Sequence, residues 1–399
     1  MGGETELSPL LQLLETPAPG DRQIARLLLE DFVATTLSGR SSASSWSPDY
    51  AGAVETAARF AGMASCRDLD DVDWSGPLHP GSVVWAATIA AAASAGAPGE
   101  RLVHAGVSGY RVAHSCAAAL GAEHASRWHV TATAGALGAA AAAAVVCGAD
   151  SERAGRALSL VAVNLGGLGQ AALERSGAAR ATRAFAAAQG VLAGALSPGD
   201  IPSTAYPWTG PRGVQQVMRG GALQIAASSN PWRTIGLRLY PVNAFVHSAV
   251  RATAELGATE TGPFEDIAWE LPRGILAMVD SDERGDWWDA RLAAARAIGS
   301  GSPWVVDQSG PWDALASTVR LESNDLPWGS ARVHVTTAMG RLTREAPRIM
   351  IVDDSDIDVT ARHKWTRVLG VDPGEVVDIV DALFSEEPDW VQILNELSG

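Results

Sequence analysis

TAGALGAAAAAAVV, residues 133–146, carries no charge and no proline. Alanine is the best helix former and projects only a methyl group, so this run predicts a helix that its neighbours can approach closely. Outward from it, residues 21–38, 82–95 and 151–165 share the character, rich in Ala and Leu and punctuated by Gly, Pro and Ser-Pro. A tight all-α body with deeply buried central helices is therefore predicted from Asp21 to about Ala254. The most apolar stretches, 83–97 and 136–149, run to about 15 residues and are mostly alanine, too short and too weakly hydrophobic to span a bilayer. They read as buried helices.

The pattern changes after Gly257. Residues 264–271, 316–321, 331–336 and 348–352 are short, relatively rich in β-branched residues and roughly alternating, with an alanine helix at 289–298 between them. Residues 360–397 return to helical spacing. The expected architecture is mainly α: an all-α domain over 1–256, an inserted α+β lid domain over 257–359, and C-terminal helices over 360–399 that pack back on the first domain.

Composition narrows the function. A chain of 399 residues, 47% hydrophobic and 19% charged, buries a large core and divides into two domains. A net charge of −15 repels phosphate backbones and anionic lipid, so neither nucleic acid nor a membrane surface is an expected partner. The first residues are acidic where a secretory leader is basic, and they lack a sustained apolar stretch, so a cytoplasmic protein is expected. Three cysteines without CxxC spacing fit neither a disulfide framework nor a thiolate metal site. Lys364 is the only lysine, so chemistry elsewhere rests on other groups.

Four clusters carry candidate chemistry. Asp68-Leu-Asp70-Asp71-Val72 precedes His79-Pro-Gly-Ser at the start of an alanine-rich helix, and Trp128-His129-Val-Thr-Ala-Thr precedes another. A helix N-terminus disfavours a cation, which biases both imidazoles toward the neutral form that accepts a carbon-bound proton. Arg238-Leu-Tyr240-Pro-Val-Asn-Ala-Phe-Val-His247 spaces a cation and a histidine across a turn, and Arg180 pairs with Arg183 on one helix. The Gly-rich residues 165–170 lack GxGxxG spacing, and no HExxH, Walker or GxSxG motif occurs. No segment offers an established metal-ligand spacing, so no metal is expected.

Taken in order, the DxDD segment at Asp68, HPGS at His79, SGY at Ser108, HxTATxGxxGAAAAA at His129, YP…H at Tyr240–His247 and the helix ending AIGSG resemble the MmgE/PrpD family. The resemblance covers nearly the whole chain. It implies a homodimer that removes or relocates a proton beside a carboxylate, giving dehydration, decarboxylation or epimerisation without cofactor. It makes His79, His129, Asp70 and Asp71 the catalytic candidates and His247 a binding candidate.

The departures shift the expected substrate. Val72 stands where the family has threonine, Arg238 near the lysine before YP, Ala179 with Arg180 at a second lysine, and Leu292 near a lid tyrosine. Arginine clamps carboxylates but does not release a proton at neutral pH, so Arg238 and Arg180 are binding groups. With Tyr240, Val72, Trp74 and Trp128 they predict a site for an organic acid more apolar than a polycarboxylate, a biosynthetic intermediate. Two other readings use the same fold: a shape-driven cyclase or isomerase of a larger natural-product intermediate, and a non-catalytic binding protein.

Overall fold

The computed structural model describes residues 6–42, 52–174, 176–199, 201–223, 230–260, 263–280, 289–304, 312–353 and 355–399. The chain divides into two units, Met1–Ile235 with Leu369–Gly399, and Gly236–Val368. Helix α1 (Pro19–Ser38) opens with proline in its first turn, where the missing N–H costs nothing, and the Asp21 carboxylate accepts the Ala18 N–H at 2.8 Å. It is followed by α2 (Ala53–Ser65), α3 (Pro80–Ala95), α4 (Glu100–Ala125), α5 (Val130–Val146), α6 (Ser151–Ala162) and α7 (Ala178–Leu196).

Helix α5 contains the alanine run and is the centre of the first unit. It packs against α3, α4, α6 and α7, and every residue from Val130 to Ala144 is buried. A helix apolar all round belongs in an interior. Close approach has a steric condition: a Cβ on Gly138 would stand 2.6 Å from the Gly109 carbonyl oxygen of α4. The starts of α3 and α5 fall two or three residues earlier than the alanine pattern indicates, because Pro80 and Val130 follow histidines that act as N-caps.

In the second unit, α8 (His247–Thr259) precedes β1 (Phe264–Pro272), α9 (Ala290–Ser300), β2 (Val319–Asn324), β3 (Ala331–Thr337), β4 (Gly340–Ala346) and α10 (Ile357–Lys364). The sheet order is β2-β1-β3-β4, with β1 parallel to β2 and the other neighbours antiparallel. Ile267 pairs with Val319 and Trp269 with Val333. Trp269 donates its indole N–H to the Thr253 hydroxyl of α8 at 2.8 Å, which seats that helix on the sheet. The chain then returns to the first unit as α11 (Pro373–Leu383) and α12 (Trp390–Ser398), both packed on α1.

Three sequence expectations shift. Residues 348–352 form no strand; the fourth strand is β4, an edge strand studded with Arg341, Arg344 and Glu345, whose charges mask its apolar alternation. The division between units falls at Ile235 and Gly236, about twenty residues before the change in sequence pattern, because alanine-rich α8 packs on α9 and β3. At the other end, α10 lies in the second unit and the return begins at Leu369. Among the described residues, no helix is long and apolar enough to cross a membrane.

Candidate active site

Two neighbouring helices of the first unit begin with histidine. His79 is the N-cap of α3 and His129 that of α5, and the His79 backbone N–H donates to the Thr131 hydroxyl at 3.0 Å, tying the two starts together. Residues far apart in sequence thus share one corner.

Hydrogen bonding at Nδ1 orients both rings. His79 Nδ1 lies 2.8 Å from the Asp71 carbonyl oxygen. A carbonyl only accepts, so Nδ1 carries the proton and the lone pair of the neutral ring is on Nε2. His129 Nδ1 lies 2.5 Å from the Thr182 hydroxyl, whose single proton is donated to the Ala179 carbonyl at 2.7 Å. With that proton on Ala179, the hydroxyl oxygen faces His129 Nδ1 as an acceptor, an arrangement suited to the same tautomer. Burial drives the His129 pKa down to about 3, with the Arg183 guanidinium adding to the effect and Asp68 and Asp70 opposing it. At neutral pH that ring is uncharged.

The Gly-rich residues 165–170 brace this corner. The His129 N–H donates to the Gly167 carbonyl at 2.9 Å, and the Gly169 N–H donates to the Arg127 carbonyl at 2.8 Å. Gly167 has φ +97°, and a Cβ there would stand 2.3 Å from that of Ala132. Glycine lets this segment lie against the first turn of α5.

Beside His79, the buried Asp71 carboxyl accepts the Gly81 N–H at 2.8 Å and the Tyr110 O–H at 2.7 Å. Burial pushes its pKa up to about 7; the two donors resist, and Asp70 and Asp31 add to the rise. The same burial, with Asp71 next to it, lifts the Tyr110 phenol well above its ordinary value. Asp71 orients the His79 imidazole through its backbone carbonyl, while its carboxyl holds the loop between them to the start of α3.

Asp68 sits in the left-handed region at φ 52°, a conformation that costs energy for a residue with a Cβ. Its carboxylate takes Arg180 on one oxygen, with Nη2 at 3.0 Å, and Arg183 on the other, at 3.1 Å. Arg183 also faces Asp70 at 3.6 Å. The Arg180 fork, expected as a substrate clamp, is turned onto Asp68.

Val72 and Trp74 are buried beside this cluster in sequence, and the Trp74 N–H donates to the Thr234 carbonyl. Trp128 is half-buried and stacks on the ring of His124 with centroids 6.2 Å apart.

Arg238, Tyr240 and His247 lie in the second unit, all buried. His247 Nε2 donates to the Val242 carbonyl at 3.0 Å, and burial lowers its pKa to about 3, with Arg238 and Lys364 contributing in the same direction. Tyr240 packs on His247 and on Trp304, which packs on His363. Leu292 is a core residue of α9, against Ala295 and Ala316.

Sequence reading passed over Thr182, Tyr110 as a partner of Asp71, and the placement of Lys364, which is fully buried in the second unit. Tyr110 had a signal in its SGY segment; a threonine inside an alanine helix has none. Among the described residues, no group of three or more His, Cys, Asp or Glu side chains is placed to hold a metal ion.

Fold and site together define a class: a mainly helical protein whose first unit gathers two histidine N-caps, a buried aspartate cluster and paired arginines. The sequence profile of the MmgE/PrpD N-terminal domain matches residues 23–225, just over half of the chain, and the protein belongs to the MmgE/PrpD family. Members of that family are generally lyases and dehydratases. No curated protein matches the sequence.

Proposed function

We propose that this protein is a cofactor-independent lyase or isomerase that moves a proton beside a carboxylate or carbonyl, with His79 and His129 as the proton-transfer groups. The observation that supports the reading is a shared geometry: at two adjoining helix starts, each Nδ1 lies within hydrogen-bond distance of an oxygen, the Asp71 carbonyl for His79 and the Thr182 hydroxyl for His129, which assigns the basic lone pair to Nε2. His129 is neutral at pH 7 and acts as the base. A general base works best with a pKa near the operating pH, and a bound carboxylate beside His129 raises its proton affinity toward that range. The substrate thereby activates its own base. His79 handles the second proton, and Asp71 with Tyr110 keeps it in place.

The proposed substrate carries one acidic group and a larger apolar part, in keeping with a biosynthetic intermediate. Arg180 and Arg183 are already faced by Asp68 and Asp70, so this corner supplies little net positive charge for a dense polycarboxylate. Each buried carboxylate left unpaired costs several kcal/mol. Purified protein is expected to give no turnover of cis-aconitate, 2-methylcitrate or iminodisuccinate in steady-state assays. A kcat/KM of about 10⁴ M⁻¹s⁻¹ or more on any of them would overturn this substrate class.

The working form is proposed to be a homodimer. Support comes from α7, buried along one side, whose outer side carries Phe185 at 74% exposure, Leu192 at 48% and Leu196 at 42%. A helix apolar on both sides is suited to a second protein surface.

A further inference from the structure

We infer that Thr182 is the positioning residue that selects the reactive nitrogen of His129, by holding the ring in its Nδ1–H form. The argument is one of proton counting. The hydroxyl has one proton and two lone pairs. Its proton goes to the Ala179 carbonyl, one turn back on α7, at 2.7 Å, so its oxygen faces His129 Nδ1 as an acceptor at 2.5 Å. The alternative tautomer would point a lone pair at a lone pair, or force the hydroxyl to abandon Ala179. Neither is inexpensive inside a protein, where an unmade hydrogen bond leaves a desolvated polar group unpaired.

The surroundings hold the ring to this choice. The His129 backbone is pinned by Gly167, and Thr182 lies one residue before Arg183, whose guanidinium bonds Asp68 and faces Asp70. Helix α7 therefore delivers the tautomer lock and the charge pairing in adjacent residues. The two histidines differ in how they are held: His79 leans on a backbone carbonyl, which no side-chain substitution removes, whereas His129 leans on a hydroxyl, which one substitution does remove.

The catalytic meaning of this lock rests on the proposed proton-transfer role of His129, but the lock itself is measurable without substrate. The test is long-range ¹⁵N–¹H correlation spectroscopy at neutral pH on the full chain labelled at histidine, with the His129 signals assigned by difference from His129→Asn. Wild-type protein is expected to show a protonated Nδ1 and an unprotonated Nε2. Thr182→Ser is expected to keep that pattern, and Thr182→Val to move the ring to the Nε2–H form or to a mixture. An Nε2–H ring in the wild type, or an unchanged Nδ1–H pattern in Thr182→Val, would overturn the assignment. The wild-type spectrum alone decides the tautomer should Thr182→Val fail to fold. Loss of the lock with unchanged turnover would instead count against the proton-transfer reading.

Discussion

His79 and His129 occupy equivalent positions, each the N-cap of a buried alanine-rich helix, each with Nδ1 bonded to oxygen, and the two helices lie side by side. Their environments diverge from there. The His79 corner centres on a carboxyl whose proton affinity is raised by burial and which is tied to a phenol. The His129 corner is set against Arg183, Asp68, Asp70 and a hydroxyl. The difference teaches that a shared helix-start motif fixes where an imidazole stands, while the groups around the ring select which nitrogen it offers and, with burial, set the proton affinity of His129.

The largest effect expected from breaking this comparison is on turnover. His79→Asn and His129→Asn are each expected to lower kcat by about 10²-fold or more on a substrate of the proposed class, with unfolding midpoints near wild type. Near-normal turnover in one of them would leave a single histidine doing the chemistry and end the symmetry.

A smaller effect separates the corners by pH. The His129 pKa falls from 6.5 to about 3 on folding, so between those values the unfolded chain holds a proton that the folded one lacks. That contribution to stability is lost as pH falls from about 6.5 toward 3. Asp71 runs the other way, from 3.8 to about 7: here the folded chain holds the extra proton, and stability is lost as pH rises through this window. Urea unfolding is expected to show His129→Asn gaining on wild type at the acid end, and Asp71→Asn gaining on wild type toward pH 8. Matching pH profiles for the two variants would mean the corners are electrostatically alike.

The mildest change lies outside both corners. Phe185→Asp combined with Leu192→Asp on the outer side of α7 is expected to halve the molecular mass measured by light scattering while leaving helical content unchanged. A wild-type protein that is already monomeric would remove the dimer.

Much of this was legible in the sequence. The buried alanine helices, both histidines at helix starts and the run from Asp68 to Asp71 follow from composition and local order, because helix periodicity and capping are local properties. The edge strand β4 was hidden, since its alternation is written in charged residues that read as loop. Thr182 and the engagement of Arg180 by Asp68 were hidden for another reason: both partners lie more than fifty residues away in sequence, and no local pattern announces them. The Gly-rich residues 165–170 lack a phosphate-binding spacing, and their work as a brace appears only once Gly167 is seen against Ala132.

Proton transfer at His129 and His79 is read most directly by hydrogen exchange at a substrate carbon. Monocarboxylic acids bearing an alkyl or aryl group, chosen from a panel by their ability to raise the unfolding temperature, are incubated with the protein in D₂O and analysed by mass spectrometry. At least one stabilising acid is expected to gain deuterium at the carbon beside its carboxylate, and His79→Asn and His129→Asn are each expected to slow that exchange by about 10²-fold. Acids that bind without exchange, or exchange that proceeds unchanged in both variants, would contradict the claim and leave a binding protein on an enzyme's fold.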